Sequence, residues 1–103
     1  MIIITGSVLT NAETRAEIEA DCIAHSQRSR AEPGCIAHNI HADCENPDLL
    51  VFVELWTDVA AVKAHFAVPE SGAFVARMRE LSSAPLSIKI YNSEEVPFAA
   101  LAG

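Results

Sequence analysis

Positive charge is scarce in this sequence: seven Lys and Arg stand against 14 Asp and Glu, a formal net charge of −7. No basic cluster interrupts that excess, so a phosphate backbone would be repelled rather than neutralised, and nucleic acid is not an expected partner. Cysteine is sparse as well. Cys22, Cys35 and Cys44 are odd in number and have no C-x-x-C spacing, which argues against a disulfide framework and for a reducing compartment. No stretch approaches the ~18 apolar residues of a membrane span, so no membrane partner is expected. Met1-Ile2-Ile3-Ile4 lacks a basic n-region, and Thr5, Gly6 and Ser7 follow too soon for a secretory core. The sequence therefore predicts a cytoplasmic protein. A glycine-rich phosphate loop, a G-x-S-x-G elbow and an H-E-x-x-H pair are all absent, which removes the commonest nucleotide, acyl-transfer and zinc-hydrolase signatures.

What is present is apolar. Half of the 103 residues are hydrophobic and a fifth are charged, far from the composition of a disordered chain and enough for one core, so residues 1–103 read as a single domain. Ile2 to Leu9 is rich in β-branched residues and too short for a helix, hence a strand. Thr10-Asn11-Ala12-Glu13 reads as a capping box opening a helix, with Ile18, Cys22, His25 and Ser29 on one face. Pro33 stops it near Glu32, and Gly34 supplies a turn. In Cys35 to Ala42, Ile36, His38 and Ile40 alternate with Ala37, Asn39 and His41. Leu49 to Trp56 is an almost unbroken apolar strand. Thr57 or Asp58 caps a short helix bearing Val59, Val62 and Phe66; Pro69 breaks it, and a further helix places Phe74, Met78 and Leu81 on one face. Leu86, Ile88 and Ile90 mark a fourth strand. The tail, 93–103, has no clear period, although Val96, Phe98 and Leu101 suggest that it packs.

Strand, helix, strand, strand, helix, strand with right-handed crossovers predicts an α+β fold of ferredoxin-like βαββαβ layout, an antiparallel sheet in the order four, one, three, two. Strands one and three are apolar on both faces, as central strands should be. Helices can cover only one face, so the other needs a second copy of the chain. Burying about five such side chains contributes on the order of 10 kcal/mol before association costs, and the expectation is a homodimer packed sheet to sheet.

Phe52, Glu54 and Trp56 are two apart on one strand and share a face; Val51, Val53 and Leu55 share the other. The aliphatic set suits a subunit interface, which leaves the mixed set under the helices. A carboxylate there needs a partner, since an unpaired buried charge costs several kcal/mol. His65, on the next helix, is a candidate, and Glu54 would hold its imidazole in one tautomer as an orienting acid does for a general base. Equally, Glu54 could bond backbone or Arg groups while His65 caps a helix end. His38 and His41 lie on opposite strand faces and make poor co-ligands, so no metal is expected. His25 reads as a core histidine that could line the same pocket.

Several segments carry a resemblance: Ser29-Arg30-Ala31-Glu32-Pro33-Gly34-Cys35, Glu54-Leu55-Trp56, Asp58-Val59-Ala60-Ala61, and Ala64-His65-Phe66 with Pro69 close behind. Together and in this order they resemble the antibiotic biosynthesis monooxygenase family, in its quinol monooxygenase-like branch, from strand one to strand four. The resemblance implies a dimeric α+β barrel with a pocket in each subunit. It also implies oxidation of a quinol or polycyclic aromatic substrate by O2 with no cofactor, neither metal nor flavin. Glu54, Trp56 and His65 match the family's motif as catalytic positions. Phe52, Phe66, His25, Phe74 and His38 are the expected substrate-binding residues, with Trp56, Phe52 and Phe66 as stacking walls. His38 stands where the family often has tyrosine, and Glu70 where it often has a second histidine.

Three other readings remain. A haem-degrading enzyme of the same barrel would use an asparagine on strand one, where this chain offers Thr5, Gly6 and Ser7. A non-oxidative isomerase or a small-ligand-binding module would need no oxygen chemistry, since fold does not fix function.

Overall fold

Period-2 runs of β-branched and aromatic residues become strands, and the segments between them that repeat every three or four residues become helices. The computed structural model describes Met1–Gly103. Its elements are β1 (Ile2–Leu9), α1 (Arg15–Arg30), β2 (Cys35–Ala42), β3 (Leu49–Trp56), α2 (Val59–Ala67), α3 (Pro69–Leu81), β4 (Ser87–Asn92) and α4 (Phe98–Leu101). The sheet runs β2-β3-β1-β4 and every pairing is antiparallel, which is the expected ferredoxin-like arrangement. No helix is long and apolar enough to cross a membrane.

Register sets which side chains meet. Ile4 pairs with Glu54, Ile2 with Trp56 and Gly6 with Phe52, so the inward residues of the two central strands form one continuous surface under the helices. The core on that surface has two parts. Val8, Leu50 and Phe52 of the sheet pack with Ile18 and Cys22 of α1 and Met78 of α3, while Ile2, Ile4 and Trp56 pack with Val62 of α2. On the opposite face Val51 and Leu55 are half-buried and Val53 is exposed, with no helix over them.

Four local expectations are corrected. The capping box does not form. The Thr10 hydroxyl donates to the carbonyl of Asp48, 2.9 Å away across the fold, and Asn11 Oδ1 accepts the N–H groups of Glu13 and Thr14, so α1 starts at Arg15. A β-bulge between Cys35 and Ala37 breaks the alternation of β2. Cys35 and His38 both face the helices, opposite Trp56 and Glu54, while Ile36 is exposed. On α2 the buried pair is Val62 and His65, three apart; Val59 and Phe66 are half-exposed, because nine residues present only a narrow stripe. Finally, Phe98 on α4 is 86 % exposed, and Val96 and Leu101 are exposed as well, so the tail is not buried in its own chain.

The turn between α1 and β2 requires its glycine. Gly34 has φ of 82°, a left-handed conformation, and its carbonyl accepts the Thr57 N–H at 2.9 Å. A Cβ there would lie 2.5 Å from Ala61 Cβ and 2.8 Å from Thr57 Oγ1. The turn is thereby pressed against the start of α2. Gly34→Ala should destabilise the fold by about 3 kcal/mol, backbone strain and overpacking together, read as a lower midpoint in urea unfolding.

Candidate active site

Between the two halves of the core lies a polar cluster that no single element could assemble. Glu54 comes from β3, His38 from β2, His25 from α1 and His65 from α2, and all four are buried. Glu54 Oε1 is the hub. It accepts the indole N–H of Trp56 at 3.0 Å, stands 3.3 Å from His38 Nε2 and 4.0 Å from His65 Nε2. The approach to His38 is close but not aligned as a hydrogen bond, so that nitrogen has no bonded partner. Burial pushes the Glu54 carboxyl up, but the approach of His38, the Trp56 N–H and the His65 ring outweigh it, and the net direction is down.

His65 is therefore not the nearest partner of Glu54, as its helix position suggested. Its Nδ1 lies 2.8 Å from Glu32 Oε1, in the turn that Gly34 presses onto α2. His38 Nδ1 is 2.9 Å from Ser26 Oγ, and Arg30 holds the His38 carbonyl at 2.7 Å. Neither Glu32 nor Ser26 stood out in the sequence. Ser26 does sit at the right spacing, four after Cys22 and three before Ser29, to belong to the buried stripe of α1; Glu32 was masked by its place in a turn motif.

A cavity of about 500 Å³ opens on this cluster, between the sheet and α2 and α3. Its walls include Phe52, Phe66, Phe74, Ile88 and Ile90, and His25, Glu54 and His65 reach its surface. That volume lies within the usual range of small-molecule pockets. Two expected wall residues are elsewhere. Trp56 is fully buried behind His65, ring centroids 4.6 Å apart, because its indole N–H turns inward to Glu54. His38 is likewise fully buried and lies behind the wall. His25 stacks flat on Phe74, with centroids 4.1 Å apart and planes 4° from parallel. Burial pushes the His25 imidazole down to about 3, and the neighbouring His38 and His65 rings add to the effect.

A βαββαβ chain with an acid and imidazoles at the floor of an apolar cavity defines a ferredoxin-like protein with a deep pocket between its sheet and helices. A sequence profile described as antibiotic biosynthesis monooxygenase matches residues 1–77, and the chain belongs to that family. It is 32% identical over 88 residues to YcnE of Bacillus subtilis, provisionally named a monooxygenase, covering 85% of this chain and 93% of that protein. It is 31% identical over 94 residues to the uncharacterised protein sll1783 of Synechocystis, covering 91% of this chain and 64% of that longer relative. Among solved structures, one from Deinococcus radiodurans, provisionally described as an antibiotic biosynthesis monooxygenase, superposes with a TM-score of 0.88 at 25% identity, covering 94% of this chain and 96% of that one. Rv0793 from Mycobacterium tuberculosis shares the fold, with a TM-score of 0.84 at 19% identity over 92% of this chain and 96% of its own.

Because the folded chain refuses a proton that the unfolded chain accepts at the ordinary imidazole pKa, His25 leaves stability intact above that pKa. It erodes stability as pH falls through the interval down to about 3. In NMR titrations the His25 ring signals should stay fixed where a free imidazole shifts. His25→Phe, which keeps the stacking on Phe74, should flatten part of the acid-side loss of stability measured by urea unfolding.

Proposed function

We propose that the protein is a homodimeric, cytoplasmic, single-domain monooxygenase that oxidises a quinol or polycyclic phenol with O2 and needs no cofactor for that step. The observation that carries this reading is the placement of His65. It lies at the cavity floor with Nδ1 bonded to Glu32, leaving Nε2 as its proton acceptor, and with Glu54 only 4.0 Å away to balance the charge gained. Membership of a family whose relatives carry monooxygenase names supports the oxidoreductase class.

For a phenolic ring that carries an acidic methylene, His65 takes the proton and the resulting anion passes one electron to O2. The two radicals join in a carbon–oxygen bond to give a peroxide. The peroxide takes the proton back from His65 to become a hydroperoxide. The second methylene C–H then gives up its proton as the O–O bond breaks, the departing hydroxide and that proton leave as water, and a carbonyl remains. One oxygen of O2 thus enters the product and the other departs as water. The protein's part is to take the proton, hold the ring and keep water out. Phe52, Phe66 and Phe74 are the walls against which an aromatic ring stacks. Trp56 acts through Glu54, and Glu32 through His65, as positioning residues.

The uncovered outer face of the sheet supports the dimer. Val51, Val53 and Leu55 are flanked there by Ser7, Thr5 and Ile3 of β1, their register partners. Light scattering at micromolar concentration should report twice the chain mass, and Val53→Lys should shift it to one. Oxygen uptake with menadiol or an anthrone, measured against the autoxidation blank, tests the chemistry. His65→Ala should lower the enzymic rate roughly 10²- to 10⁴-fold, the usual worth of a general base, and Glu54→Gln should lower it by less. Wild-type rates in both variants would remove these roles.

A further inference from the structure

The oxidation just described uses one imidazole, yet three converge. One ring nitrogen from each of His25, His38 and His65 lies within 4.8 Å of the others, and all three residues are buried. They belong to α1, β2 and α2, so packing rather than a local motif brings them together. Two of them have their far nitrogen already held. His38 Nδ1 meets Ser26 Oγ at 2.9 Å, and His65 Nδ1 meets Glu32 Oε1 at 2.8 Å. That is how proteins fix the tautomer and aim of an imidazole whose other nitrogen binds a metal. His38 Nε2 is buried with no hydrogen-bond partner, an expense that buried polar atoms seldom carry without a reason. Glu54 Oε1, 3.3 Å from His38 Nε2 and 4.0 Å from His65 Nε2, adds a carboxylate. The cavity leaves an open side for water or another ligand.

We propose that His25, His38 and His65, together with Glu54, form a binding site for one divalent first-row transition-metal ion at the floor of the cavity. Imidazole nitrogens with a single carboxylate favour such ions over magnesium or calcium, which take oxygen donors. Bonds of about 2.1 Å place donor nitrogens roughly 3–3.5 Å apart, so the rings close on the ion by a small rotation. Arg28 must yield. Its guanidinium stands 3.4 Å from His25 Nδ1 and can only donate, whereas an imidazole bound through Nε2 carries its proton on Nδ1; Arg28 is exposed and free to swing away. The site stands apart from the oxidation reading, because binding can be measured without turnover. The two do compete, since an ion on His65 Nε2 occupies the nitrogen that would accept the substrate's proton.

The test is a titration of chelator-stripped protein with Co²⁺, following visible d–d absorption, with isothermal calorimetry in parallel. Absorption of four- or five-coordinate intensity that saturates at one equivalent per chain is expected. His65→Gln and His38→Gln should abolish the band, and His41→Gln, on the other face of β2, should leave it unchanged. Glu32→Gln removes no ligand but should weaken binding roughly 10- to 100-fold, the usual effect of losing a partner that orients a ligand. Circular dichroism checks that each variant is folded; should His38→Gln unfold, His65→Gln and Glu32→Gln decide. No saturable band in the wild type, or a band of equal affinity in folded His65→Gln, overturns the site. No quinol oxidation by the metal-free wild type, with the band still forming when Co²⁺ is added, would sink the oxidation reading instead.

Discussion

A carboxylate on a central strand, under the helices, is the constraint around which this molecule is arranged. Glu54 sits between Phe52 and Trp56 on β3, where an apolar residue would be the ordinary choice, and burial there is tolerable only with compensation from several directions. The compensation comes from the Trp56 indole on its own strand, from His38 on the neighbouring strand and from His65 on the helix above. Each of those groups is then fixed in turn, His38 by Ser26 and His65 by Glu32. The core divides into two apolar parts with this polar seam between them. The cavity opens on that seam, so the buried acid is also part of the pocket's lining.

The turn that precedes β2 links the seam to the backbone. Gly34 lets the chain pass so near α2 that no side chain fits between, and Glu32, two residues earlier, is thereby brought to His65. A segment that looks like a simple reversal of direction thus supplies the partner of a buried imidazole. Its glycine serves the site as much as the fold.

Much of this was legible in the sequence because it follows from period. The boundaries of β1, β2 and β3, the stripe of Ile18, Cys22, His25 and Ser29, and the common face of Phe52, Glu54 and Trp56 need only spacing of two or of three and four. The strand order followed from the βαββαβ layout with right-handed crossovers, and the strands apolar on both faces agreed with it. What failed depended on distant partners. Thr10 looks like a helix cap until Asp48 takes its hydroxyl, and α2 is too short for its pattern to choose between Phe66 and His65. Trp56 reads as a pocket wall unless one knows that its N–H turns to Glu54. The family resemblance placed the three histidines at one pocket, but not their close mutual approach, since each stands alone on its own element and nothing in the linear spacing relates them.

The irregularity early in β2 has a consequence for how this chain can vary. Because an extra residue is accommodated between Cys35 and Ala37, Cys35 and His38 present their side chains to the same side although an odd number of steps separates them. Parity along this strand is thus a structural quantity in its own right. Exchanging one residue type for another at Ile36, which projects into solvent, leaves the phase of the strand untouched, whereas gaining or losing one residue there forces the strand to choose which of the two neighbours keeps its inward aim. Length, more than composition, is what this short stretch has to preserve.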